Sequence, residues 1–76
     1  MTRLSDLQAG DRARVIAIED ASAGRRLVEM GVFPGQEVAV VCVAPLNDPT
    51  AYSVGGSRLS LRRTEAALVF VEPAVG

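Results

Sequence analysis

Catalysis and metal binding need nucleophiles, bases or clustered ligands, and this sequence carries few in a usable arrangement. It contains no histidine and a single cysteine, Cys42. The commonest metal ligand and the side chain best suited to proton transfer near pH 7 are therefore missing. One cysteine cannot form an internal disulfide. Cys42 also lies inside the apolar run Val38–Ala44, and unpaired cysteine ranks among the most buried residue types, so a buried, inert thiol is expected. The acidic residues are scattered singly except at Glu19-Asp20. Asp48, between Asn47 and Pro49, has the setting of a turn former more than of a metal ligand. Cys42 and Asp48 are thus the weak metal candidates, and no tight metal site, cofactor or catalytic residue is expected. Hydrolysis through serine, cysteine or zinc has no base to start it, so the chain reads as a non-enzyme.

The remaining chemistry is that of charge. All eight basic residues are arginine, and the net charge is −1. Arginine forms planar, bidentate ion pairs that lysine cannot, whereas the overall charge gives no general attraction to nucleic acid. Two groups of charges stand out. Arg25, Arg26 and Glu29 fall within a short predicted helix, the arginines toward its positive N-terminal end and the glutamate toward its negative C-terminal end. Each placement opposes the macrodipole, at a cost of about 0.3–1 kcal/mol. The Arg25–Glu29 pair, with the acid C-terminal, recovers only about 0.2–0.5 kcal/mol. Local rules often fail where a partner binds; the competing reading pairs these charges with Arg58, Arg62, Arg63 or Glu65 of the same domain. Arg58 and Arg62 form the second group, on one face of a predicted strand.

The elements that position these charges are mostly short strands. Ala13–Ile18 reads as a first strand after the turn signal Gly10-Asp11. Val38–Val43 is a second, β-branched and apolar on both faces. Between them, Ser22–Gly31 reads as two turns of helix, with Ser22 as N-cap, Ala23, Leu27 and Met30 on one side, and Gly31 at the left-handed end. Gly55-Gly56 fits a two-residue primed hairpin turn that pairs Val54 with Ser57, Tyr52 with Leu59 and Thr50 with Leu61. That register sends Arg58, Ser60 and Arg62 to the face opposite most of the large apolar residues. Arg62–Ala67 reads as a helical turn and Leu68–Val71 as the last strand; residues 73–76 should fray. The expected core is Val15, Leu27, Met30, Val38, Val40, Tyr52, Leu59, Leu61 and Phe70.

With 76 residues the chain makes one domain, residues 1–76, and buries only about 60% of its unfolded surface. No apolar run approaches the ~20 residues of a spanning helix, and Met1–Asp6 lacks signal-peptide features. A cytoplasmic location is expected. The architecture is mainly β: a small SH3-like barrel of about five strands, one short helix between the first two, and a helical turn before the last.

The run RRLVEMG at residues 25–31, followed by Pro34-Gly35, resembles the signature of the FeoA family. So do APLNDP at 44–49 and LRRTEA at 61–66. The resemblance spans nearly the whole chain, including Leu4 and Leu7 before Gly10. It implies an SH3-like fold and a role in ferrous-iron transport beside the permease FeoB, which carries a GTP-binding domain. The chain would then meet the cytosolic part of FeoB by protein–protein interaction, through Arg25, Arg26, Glu29, Arg58 and Arg62, and approach the membrane only through that partner. Transition-metal binding belongs to the family's vocabulary, but the absent histidine argues against direct iron binding here. A homo-oligomer is compatible with the sequence. The rival readings are a nucleic-acid-binding barrel, for which Phe33, Tyr52 and Phe70 are the only aromatics, and a stand-alone relative of the C-terminal barrel of iron-dependent repressors.

Overall fold

The computed structural model describes residues 2–43 and 49–74. Six strands form one antiparallel sheet: β1 (Thr2–Arg3), β2 (Arg12–Ile18), β3 (Glu37–Val43), β4 (Thr50–Val54), β5 (Ser57–Leu61) and β6 (Val69–Pro73). Two helices interrupt them, α1 (Ala21–Glu29) and the single turn α2 (Arg63–Ala66), and a 3-10 turn at Leu4–Asp6 follows β1. The order across the sheet is β1-β6-β2-β3-β4-β5. The sheet curls into a barrel-like shape without closing, because β1 and β5 remain its two edges. β1 was not expected. Its two residues, paired with Val71 and Phe70 of β6, are too few to show a period.

The hairpin has the register read from Gly55-Gly56: Val54 pairs with Ser57, Tyr52 with Leu59 and Thr50 with Leu61. Both glycines have positive φ, 56° and 87°, as a primed turn requires and residues with a Cβ resist. The inward rows of the sheet supply most of the core, namely Ala13, Val15, Val38, Val40, Tyr52, Val54, Leu61, Val69 and Val71, with Leu4, Leu27, Val32 and Ala66 closing it. Of the expected core, Met30 and Leu59 are only partly buried. Phe70 is not in it. Val69 and Val71 take the inward positions of β6, which turns Phe70 to the other side, where the Arg3 guanidinium lies 4.8 Å from its ring centre.

Two bulges change which residues face out. The β2–β6 register slips between Val15 and Ala17, and the β3–β4 register between Val40 and Cys42. The second slip places Cys42 opposite Ala51, whose neighbours Thr50 and Tyr52 are buried. Cys42 therefore points outward and is exposed, correcting the expected buried thiol. Simple alternation fails at a bulge because one extra residue reverses every face beyond it. Asp48 lies outside the described residues. At the far end β6 continues through Pro73, beside Ala13, and the Ala74 N–H donates to the Arg12 carbonyl at 2.9 Å. Residues 73 and 74 are thus tied to the sheet where fraying was expected.

Candidate functional site

Helix α1 begins two residues earlier than the sequence suggested. Asp20, not Ser22, is its N-cap: the Asp20 carboxylate accepts from the Ser22 N–H at 2.8 Å and from the Ala23 N–H at 3.2 Å. An ionised cap at the positive end of a helix also suits the macrodipole. At the other end Gly31 has φ 99°. Its N–H donates to the Val28 carbonyl at 3.0 Å and the Val32 N–H to Leu27 at 2.8 Å, the paired bonds of a Schellman cap. Buried Leu27 pins the helix to the barrel. A Cβ at Gly24 would sit only 3.5 Å from Ile18 Cγ2, which shows how closely α1 passes over the end of β2.

The earlier start changes the charge argument. Arg26 now falls in the last turn of α1, where a cation is favourable. Glu29 alone still opposes the dipole.

The next helix supplies Arg26 with a partner. Glu65 Oε1 accepts from the Arg62 N–H at 2.9 Å and so caps α2, while Glu65 Oε2 lies 3.6 Å from Arg26 Nη1. One half-buried carboxylate therefore joins α1, α2 and the end of β5. This is the competing reading of the sequence, realised for Arg26 through Glu65. Arg25 and Glu29 are both exposed, and among the described residues neither side chain takes part in an ion pair. The i,i+4 bridge between them is not formed. Exposed Arg58 and Arg62 likewise have no ion pair among the described residues. The structure thus brings the Arg26 guanidinium and the Arg62 backbone N–H together at Glu65, sets Arg25 one position away on α1, and places Arg58 in β5, four residues before Arg62.

Two roles escaped the sequence reading: the capping of α2 by Glu65, which was read there only as an ion-pair partner, and the part Arg3 plays in holding the fold. Glu65 has a local signal, an acid three residues after an extended residue, the spacing of a capping box. Arg3 has none. Its guanidinium donates to the Ala67 carbonyl at 2.6 Å and to Glu19 Oε2 at 3.2 Å while covering Phe70. Its backbone N–H donates to Asp6 Oδ2 at 3.0 Å. All these partners except Asp6 are distant in the chain.

Elsewhere, a cavity of about 370 Å³ is lined by Ser5, Asp6, Gln8, Thr50, Tyr52 and Arg63, among others. Burial raises the Tyr52 pKa above its ordinary value, and a hydrogen bond with the Thr50 side chain opposes that shift in part. Among the described residues no three acidic or cysteine side chains gather where they could hold a metal ion. Nor is any helix among them long and apolar enough to cross a membrane. With Tyr52 buried and Phe70 covered by Arg3, Phe33 is the large aromatic exposed among the described residues, a poor platform for stacking bases.

Comparison with known proteins settles the lineage. The family model of the FeoA domain matches residues 2–73. The chain belongs to the FeoA family. A curated relative from Porphyromonas gingivalis, an Fe(2+) transport protein A/Fe(2+) transporter FeoB fusion protein, is 42% identical over 71 residues. The match covers 92% of this chain but only 8% of that protein. The solution structure of FeoA from Chlorobium tepidum is 37% identical, with a TM-score of 0.90 over 99% of this chain and 72% of that one. FeoA of Stenotrophomonas maltophilia, solved with zinc and described as a prokaryotic SH3 domain protein, is 34% identical; its TM-score is 0.83, over 95% of this chain and 91% of that one. A manganese-dependent transcriptional repressor shares the fold alone, at 17% identity and a TM-score of 0.85 over 96% of this chain and 41% of that one. The FeoA fold, mainly β and SH3-like, is the one expected from the sequence, with six strands where about five were read.

Proposed function

We propose that this FeoA-family chain is a cytoplasmic accessory protein of ferrous-iron uptake, acting without catalysis by docking on the cytosolic part of the FeoB permease. The observation that carries this reading is the Porphyromonas gingivalis relative, in which an FeoA domain and FeoB form one polypeptide. Two proteins joined in one chain somewhere have reason to meet where they are separate. The docking surface is the charged strip running from Arg25, Arg26 and Glu29 on α1, across Glu65, to Arg62 and Arg58. Within it Arg26 pairs with the Glu65 carboxylate, which also caps α2, whereas Arg25, Arg58 and Arg62 hold no ion pair among the described residues. Arginine is favoured at binding hot spots, where truncating one costs about 2 kcal/mol or more.

The test is ferrous-iron uptake in cells lacking the native protein and carrying Arg25→Glu, Arg26→Glu or Arg58→Glu. Uptake should fall in Arg25→Glu and Arg58→Glu with melting temperature nearly unchanged, and in Arg26→Glu with a small loss of stability. Full uptake by all three folded variants would end the reading.

A further inference from the structure

The two edges of the sheet are not alike, and the difference bears on how a partner could attach. Among the described residues β5 has β4 as its only neighbour in the sheet. Its pairing with β4 fixes which backbone groups turn away. A two-residue turn makes its flanking pair, Val54–Ser57, a hydrogen-bonded one, and bonded and non-bonded pairs then alternate. Tyr52–Leu59 and Thr50–Leu61 are bonded in turn. The N–H and C=O of Arg58 and of Ser60 therefore point outward from the edge. Four backbone groups stand in a row for another strand to meet. The row ends at Arg62, whose N–H is already taken by Glu65 at 2.9 Å.

The side chains along this edge state what kind of strand fits. Arg58 and Arg62 stand on one face, about 13 Å apart along an extended chain. On the other face Leu59 is only partly buried while packing on the core, so an added strand could extend the apolar layer there. A second copy of this chain fits less well. Antiparallel self-pairing through the outward groups sets Arg58 against its own copy, against Arg62, or diagonally beside its copy, and like charges across strands are destabilising. An unprotected edge of this kind is a template for strand addition.

We propose that β5 is extended by an acidic, extended segment of the partner, which adds as a further antiparallel strand along Ser57–Leu61 and sets two carboxylates, four residues apart, against Arg58 and Arg62. This rests on the docking reading above and adds its mode: backbone pairing supplies the attachment and the arginines select the strand.

The probe is the synthetic peptide VEVTVEV, blocked at both ends, titrated into the isotopically labelled protein. The amide signals of Arg58 and Ser60 should shift, and their hydrogen exchange should slow. Two controls separate pairing from simple charge attraction. N-methylating the peptide's two pairing amides keeps its charge, and Ser60→Pro removes a donor that turns away from β4 and bonds to none of the described residues; each should weaken binding about tenfold. Unchanged affinity in both, with Ser60→Pro folded by circular dichroism, would overturn the proposal. So would a dimer, seen by sedimentation of the protein alone and abolished by Ser60→Pro, which would make a second copy the occupant. The proposal and the docking reading can also fail separately. No peptide binding, with uptake still lost in Arg58→Glu, overturns strand addition and leaves docking standing. Peptide binding with full uptake in Arg58→Glu, Arg25→Glu and Arg26→Glu supports the edge as a strand acceptor and ends its assignment to iron uptake.

Discussion

The edges β1 and β5 use arginine in opposite ways. At β1 the strand is two residues long, and Arg3 is committed to the fold through Ala67, Glu19 and the ring of Phe70. At β5 the strand is five residues long, and Arg58 is exposed without an ion pair among the described residues. A buried or half-buried guanidinium whose donors are satisfied by distant residues holds structure together. One displayed beside an edge strand that pairs on one side only, among the described residues, is the one we assign to a partner. Residue type alone would not have separated them; the partners do.

Both edges stand on the core beneath α1. Leu27→Ala removes a fully buried side chain beneath α1 and should cost about 2–5 kcal/mol, much of the stability of so small a domain. Chemical denaturation measures it, and an unchanged midpoint would mean that α1 is not anchored through Leu27. Next comes the β1 edge. Arg3→Ala strands the Ala67 carbonyl and uncovers Phe70, and should cost about 1–2 kcal/mol, or roughly 4–16 °C in melting temperature. A loss of uptake with no change in melting would show that Arg3 serves binding, as Arg58 does.

A pH series reports on the interior. Because burial raises the Tyr52 pKa, the folded state holds this proton more tightly than the unfolded chain, where tyrosine titrates near pH 10. The stability tied to it is fully present below about pH 10 and is lost as pH rises through the folded value. Tyr52→Phe should flatten that alkaline decline. An equal slope in both proteins would assign the decline to other groups.

The Arg26–Glu65 pair is a smaller term still. Arg26 is largely exposed, so solvent screening keeps the pair near or below about 1 kcal/mol. A double-mutant cycle with Arg26→Gln and Glu65→Gln should give a coupling in that range. A much larger value would mean that α1 and α2 lock each other structurally, and Arg26 would leave the docking strip.

What the sequence revealed followed from local rules. The Gly55-Gly56 turn determined the β4–β5 register, and with it the outward faces of Arg58 and Ser60. Leu27 and Gly31 were legible from helical spacing and from the need for a positive φ. The misses have equally specific causes. Asp20 and Ser22 are both good caps, and only the backbone geometry chose between them. The bulge in β3 reversed the face of Cys42, and no residue pattern announces a bulge. Phe70 lost its core place to its two valine neighbours, a choice made by pairing with β1 and β2. Arg3 draws its role from residues 19, 67 and 70, far along the chain, so no local signal existed to find. The candidate strip was legible as an unusual set of charges. Its division into Arg26, shared with Glu65, and Arg58, left displayed, required the tertiary structure.

The central claim, that Arg58 serves binding and not folding, is most directly tested by isothermal titration of the protein into the purified cytosolic part of FeoB, with the melting temperature of each variant measured alongside. Arg58→Glu should weaken binding about thirtyfold or more, as befits the loss of a hot-spot arginine worth roughly 2 kcal/mol, while melting within about 2 °C of the unaltered protein, as exposed substitutions usually do. Undiminished affinity in the folded variant, or a loss of affinity matched by a loss of stability as large as that of Arg3→Ala, would contradict it.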